Sequence, residues 1–119
     1  MSRKTEKVNS LFREEISQLL LREVKDPRLS GVFSITEVSI TPDLRYAHVY
    51  VSMMGSEEER KGIISGLESA SGFMRRELSH RIQMRRIPEL IFMRDDSIEK
   101  GTKLLKLLDE ESKKKPGSQ

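Results

Sequence analysis

The sequence predicts an α+β fold, a three-stranded sheet with its helices packed on one face. Three observations carry that prediction. Apolar residues recur at helical spacing in two long segments, two later runs read as strands around a turn, and a short apolar run follows a proline. The chain has 119 residues, a length that feeds one hydrophobic core and starves two. One domain is therefore expected over residues 1–108, with a charged, disordered tail over 109–119.

From Thr5 to Val24, the residues Val8, Leu11, Phe12, Ile16, Leu19, Leu20 and Val24 recur at intervals of three and four. They make one face of a helix, which Lys25-Asp26-Pro27 ends because proline bars helical geometry from the residue before it. Gly31 opens a strand over Val32–Thr41, and Thr41-Pro42-Asp43 reads as a turn. In Arg45–Met53, Ala47, Val49, Val51 and Met53 alternate with Tyr46, His48, Tyr50 and Ser52, so one strand face is buried and the other is polar.

Ser56-Glu57-Glu58-Glu59 is a capping box, with serine at the N-cap and glutamate three residues on. The helical pattern behind it runs to Gln83, and a helix of that length measures ~40 Å against ~27 Å for a strand of eight residues. Gly and Ser together are a known cause of kinks, so two helices are expected to meet at Ala70-Ser71-Gly72. Ile87-Pro88 then leads into a third strand, Glu89–Arg94, and Ser97 caps a short helix carrying Leu104, Leu105, Leu107 and Leu108. The expected order is α-β-β-α-kink-α-β.

Charge is uneven. The formal total is only +3, yet Phe73–Arg86 holds Arg75, Arg76, Arg81, Arg85 and Arg86 against the single acid Glu77. Arginine presents a planar fork of donors that matches a phosphate, so the segment reads as an anion-binding surface. A helix restarting at Gly72 would add free N–H groups and a positive dipole end. The expected RNA contacts are thus Arg45, Ser71, Gly72, Arg75, Arg76, Arg81, Arg85 and Arg86, with Arg3, Lys4 and Lys7 as a second region. Two tyrosines, four phenylalanines and no tryptophan leave less for base stacking than for phosphate contact.

No catalytic constellation is expected. His48 and His80 lack a nucleophile at workable spacing, Asp95-Asp96 diverge if both lie in a strand, and Glu57–Glu59 are explained by helix capping. The six methionines are scattered as core filler rather than as a groove. The chain has no cysteine, which removes disulfides and thiolate metal sites and fits a reducing cytosol. No apolar run approaches the ~18 residues of a membrane span. The expectation is a cytoplasmic monomer with no cofactor, metal, membrane or small-molecule substrate.

Four stretches carry a resemblance: Lys25-Asp26-Pro27-Arg28-Leu29; Val38 through Ser52 with its Thr41–Ser52 core, Thr-Pro-Asp-Leu-Arg-Tyr-Ala-His-Val-Tyr-Val-Ser; Ala70-Ser71-Gly72; and Arg86-Ile87-Pro88-Glu89-Leu90-Ile91-Phe92 running on to Asp96-Ser97 and Gly101. In that order and spacing, over about residues 3–108, the chain resembles the bacterial ribosome-binding factor A family. The resemblance implies a type II KH-like fold in which Ala70-Ser71-Gly72 replaces the usual Gly-x-x-Gly loop. It also implies a non-catalytic assembly factor that binds the free 30S subunit and 16S rRNA near the 5′ region and decoding centre. Such a factor assists late 16S maturation, above all in the cold, and leaves before translation. A competing reading from a different class is a protein-interaction module docking on a ribosomal protein or GTPase through the hairpin or the Leu104–Leu108 helix.

Overall fold

The computed structural model describes residues 3–96. The side chains of Arg3 and Lys4, the expected Ser97–Leu108 helix and the 109–119 tail lie outside the described residues. The elements are α1 (Arg3–Arg22), a 3-10 turn (Pro27–Leu29), β1 (Phe33–Ile40), β2 (Tyr46–Met53), α2 (Glu57–Arg81) and β3 (Glu89–Arg94).

β1 and β2 pair antiparallel, as a hairpin must, with a bulge between Ile35 and Glu37. β3 pairs parallel to β2, Tyr46 opposite Glu89 and Val51 opposite Arg94, giving the sheet order β1-β2-β3. Alternation along β2 decides what the sheet buries. Ala47, Val49, Val51 and Met53 sink into the core with Val38, Ile40, Leu90 and Phe92, while Tyr46, His48, Tyr50 and Ser52 face the other way. α1 lays Phe12, Ile16 and Leu19 on that buried face, and α2 adds Ile63, Leu67, Met74 and Leu78. Both helices therefore cover one face, as the hydrophobic periods require. The element order is compatible with a KH-like domain.

One expectation is corrected. α2 runs unbroken for 25 residues through Ala70, Ser71 and Gly72, so two helices do not meet there. The buried stripe explains why. Leu67, half-buried Ala70, Met74 and Leu78 stay in one helical phase across the small residues, and Ser71 Oγ donates to the Glu68 carbonyl one turn back. A glycine inside a helix weakens it but does not break it.

The overshoot that argued for a break is met in another way. The segment after α1 gives the first half of α2 its own floor. Asp26 accepts from the Arg28 backbone N–H at 2.9 Å and from the Arg28 guanidinium at 3.1 and 2.7 Å. That clamp aims Arg28 Nη2 at Ser69 Oγ, 3.1 Å away on α2. The guanidinium and then the N–H of Arg28 hold the Asp26 carboxyl below the usual carboxylate range. Leu29 lies against Gly66, where a Cβ would come within 3.0 Å of Leu29 Cδ2. The start of α2 is capped as expected: Ser56 Oγ accepts from Glu59 N–H at 3.2 Å, and Glu59 Oε1 accepts from Ser56 N–H at 3.1 Å.

Two of the three glycines in α2, Gly66 and Gly72, should therefore respond in opposite directions. Gly72 has nothing within 4 Å of an added Cβ, so Gly72→Ala should stabilise the fold by about 0.5–1 kcal/mol in urea unfolding. Gly66→Val should destabilise it by about 1–3 kcal/mol, because the new side chain meets Leu29 and Arg28. Destabilisation by Gly72→Ala would restore a special backbone at that position.

Candidate nucleic-acid interface

The arginine-rich segment spans the second half of α2 and the loop that returns to the sheet. Met74, Leu78 and Ile82 are buried, so the helix period decides which arginines can reach solvent. Arg76 lies on the exposed side. Arg75 is half-buried: its Nη2 donates to the Ile87 carbonyl at 2.8 Å, and its Nε is shut away from solvent. Arg81 bridges α2 to α1, with Nη1 3.3 Å from Glu15 Oε2 and Nη2 3.0 Å from Glu23 Oε1. Two of the five arginines are thus engaged within the protein, Arg75 half-buried and Arg81 exposed but ion-paired.

Arg75 has a particular position. It ties α2 to the residue before Pro88, which is fully buried, and so fixes the loop just where it turns into β3. Arg85 and Arg86 precede that anchor and are exposed, and among the described residues neither makes an ion pair; Arg76 makes none either. Arg45 meets the same place from the other side. Its carbonyl accepts from Glu89 N–H at 2.9 Å, so the β1–β2 turn sits beside the entrance to β3. Arg86 is three residues from Glu89, no more than ~10 Å of chain. The structure brings Arg45, Arg85 and Arg86 to one end of the sheet and sets Arg76 outward on the helix behind the clamp.

The helix start expected at Ser71 and Gly72 is not formed. With the helix continuous there is no restarted N-terminus, so neither residue lies at an anion-binding helix start. Lys7 is exposed on α1. No group of three or more His, Cys, Asp or Glu among the described residues is arranged to hold a metal. His80 lies 4.0 Å from Glu77 one turn away on its own helix, and His48 lies on the open sheet face. Asp95 is bound up with Thr36 Oγ1 at 2.6 Å, which separates its task from that of Asp96. None of these pairs forms a nucleophile with a base.

One residue at this end is not evident from charge patterning. Leu44 has φ 61° and is 53% exposed. Its sequence signal is slight, a bulky residue following Pro-Asp where a turn would favour glycine or asparagine.

Among the described residues no helix is long and apolar enough to cross a membrane. Residues 4–108 match the family described as ribosome-binding factor A. The chain is 54% identical over 110 residues to ribosome-binding factor A of Dictyoglomus thermophilum, covering 92% of each chain. Its fold is similar to the solution structure of a Thermotoga maritima protein described as a ribosome binding factor A, with TM-score 0.62, 35% identity, and coverage of 77% of this chain and 91% of that one. It is also similar to a Thermus thermophilus ribosome binding factor A homology model fitted into a cryo-electron microscopy map of its complex with 30S. That match has TM-score 0.60, 25% identity, and coverage of 74% of this chain and 91% of the other.

The division of labour among the arginines has a stability signature. Arg75→Met should cost about 1.5–3 kcal/mol in urea unfolding, because it deletes a charge-assisted bond to a carbonyl behind the surface. Arg81→Met removes pairs that are about a third exposed and should cost no more than about 1 kcal/mol. The reverse order would mean that Arg75 does not anchor the loop.

Proposed function

Because the chain belongs to the ribosome-binding factor A family, we propose that it binds the free 30S subunit and contacts 16S rRNA through the end of the sheet that gathers Arg45, Arg85 and Arg86, with Arg76 as a flank. The bound state assists late maturation of the 16S rRNA 5′ region. The protein acts without catalysis, as a cytoplasmic monomer, by occupying rRNA rather than cutting it. The observation that carries this reading is the family match over residues 4–108. The 30S complex of the Thermus thermophilus relative supports the partner.

Physical chemistry supplies the mode of contact. Phosphate contacts position a protein on RNA and carry most of its salt dependence, while folded RNA is recognised largely by shape and by its exposed single strands. A small basic end on a rigid sheet suits that task. The guanidiniums at this end make no ion pair among the described residues, so binding need not break an internal one first. Arg75 and Arg81 contribute at one remove, by fixing the loop and the helix that present the others.

Two measurements test the reading together. In a sucrose gradient of bacterial lysate, tagged wild type should sediment with free 30S particles and be absent from 70S. Arg85→Glu/Arg86→Glu should remain at the top. With four arginines each neutralising one phosphate, log K against log salt should slope by about −2.8 to −3.6. A slope near zero with the double variant still bound would place the contact on a ribosomal protein or another protein partner.

A further inference from the structure

The turn between β1 and β2 holds a leucine where the backbone favours glycine. Leu44 donates its N–H to the Thr41 carbonyl at 2.8 Å, closing the turn, and its φ of 61° lies in the left-handed region. Among the described residues no other non-glycine residue has positive φ. Hairpin loops that end in a left-handed residue ordinarily use Gly or Asn, because a larger side chain crowds its own carbonyl there. The conformation persists because its neighbours enforce it. Thr41 N–H donates to the Tyr46 carbonyl at 2.9 Å, Tyr46 N–H to Thr41 Oγ1 at 3.1 Å, and Arg45 N–H to Asp43 Oδ1 at 3.1 Å.

The left-handed turn brings no side chain into the core. The Leu44 side chain is 53% exposed and does not belong to the hydrophobic core. A glycine would satisfy the same hydrogen bonds, since all of them are made by backbone groups or by Thr41 and Asp43. Strain that persists without an internal return collects at functional sites. The surroundings of the leucine specify the ligand. Arg45 follows it directly, and Arg85 and Arg86 lie in the loop that ends on Arg45 through the Glu89 N–H. Two acids share this end. Asp43 and Glu89 are both exposed, and Asp43 Oδ1 accepts from the Thr41 hydroxyl and the Arg45 N–H, which lower its pKa. An exposed apolar residue beside Arg45, at the end of the sheet to which the Arg85-Arg86 loop returns, suits a polyanion that also offers flat apolar faces.

We infer that Leu44 is an RNA-contacting wedge that presses against the face of an unpaired or partly unstacked rRNA base while Arg45, Arg85 and Arg86 take the neighbouring phosphates. The inference rests on the RNA-binding reading above and adds to it a base contact. Aliphatic side chains placed between base steps are a known way for proteins to read nucleic-acid shape, and unstacked bases are where RNA is most open to contact.

The probe is purified 30S subunits, with the full chain as wild type, Leu44→Gly, Leu44→Asn, Leu44→Met and Arg85→Glu/Arg86→Glu. Leu44→Gly and Leu44→Asn accept the left-handed backbone, so their urea midpoints should be no lower than that of wild type, while binding weakens about tenfold. Leu44→Met should bind within about twofold of wild type. Chemical probing of 16S rRNA bases under saturating protein should show protection or exposure of one or a few bases with wild type that is missing with Leu44→Gly. Binding by Leu44→Gly equal to wild type while the double arginine variant is lost would overturn the wedge and leave the RNA reading standing. Weakened binding with an unchanged base pattern would overturn it too, moving the leucine onto a protein surface. A fold destabilised by Leu44→Gly would show that the residue serves the turn itself. Failure of wild type to bind 30S would remove the RNA reading and the wedge with it.

Discussion

Parallel pairing of β3 with β2 is the constraint on which the arrangement depends. Two parallel neighbours cannot be joined by a tight turn; the chain must cross over and come back to the end from which the first strand began. Here α2 makes the crossover, and the return loop is delivered beside the turn that opens β2. A loop rich in arginine and a turn carrying Leu44 and Arg45 thus meet without any sequence proximity. The Arg75 bond to the Ile87 carbonyl and the buried ring of Pro88 then hold the loop in register with the strand. The gathering of these residues at one end follows from topology first and from charge second.

Much of the fold was legible because hydrophobic period is a local property. The alternation of Ala47, Val49, Val51 and Met53 marks the buried face of β2, and β3 begins at Glu89 and ends at Arg94 as its apolar run and proline indicate. The serine-glutamate box marks the start of α2. The break expected at Ala70-Ser71-Gly72 failed for a non-local reason. The length argument concerns the sheet alone, whereas the segment around Pro27–Leu29, far away in sequence, forms a second floor beneath Gly66 and Ser69. Kink rules describe what a helix is permitted to do, and packing on both halves decides what it does.

The site was legible in a coarser sense. Composition located a basic segment but could not sort its members, because whether an arginine is committed depends on what packs opposite it. Arg75 and Arg76 are chain neighbours with opposite duties, one turned toward a carbonyl and the other toward solvent. Arg81 meets Glu15 and Glu23 across an interface that no spacing rule describes. Leu44 needed the backbone angle itself, since an exposed leucine after a proline-aspartate pair is unremarkable until its φ is known. Family membership adds the partner class and leaves the assignment of contacts to geometry.

The most direct test of the account is where the protein touches the subunit. The chain has no cysteine, so single thiols can be introduced cleanly and labelled with a benzophenone. Gln83→Cys lies in the return loop beside the gathered arginines, and Glu58→Cys lies at the start of α2, toward the opposite end of the sheet. Irradiated on purified 30S, the probe at position 83 should join to 16S rRNA and the probe at position 58 should not. Crosslinks to rRNA from position 58 alone, or from position 83 only to protein, would contradict the claim that this end of the sheet is the RNA-facing end.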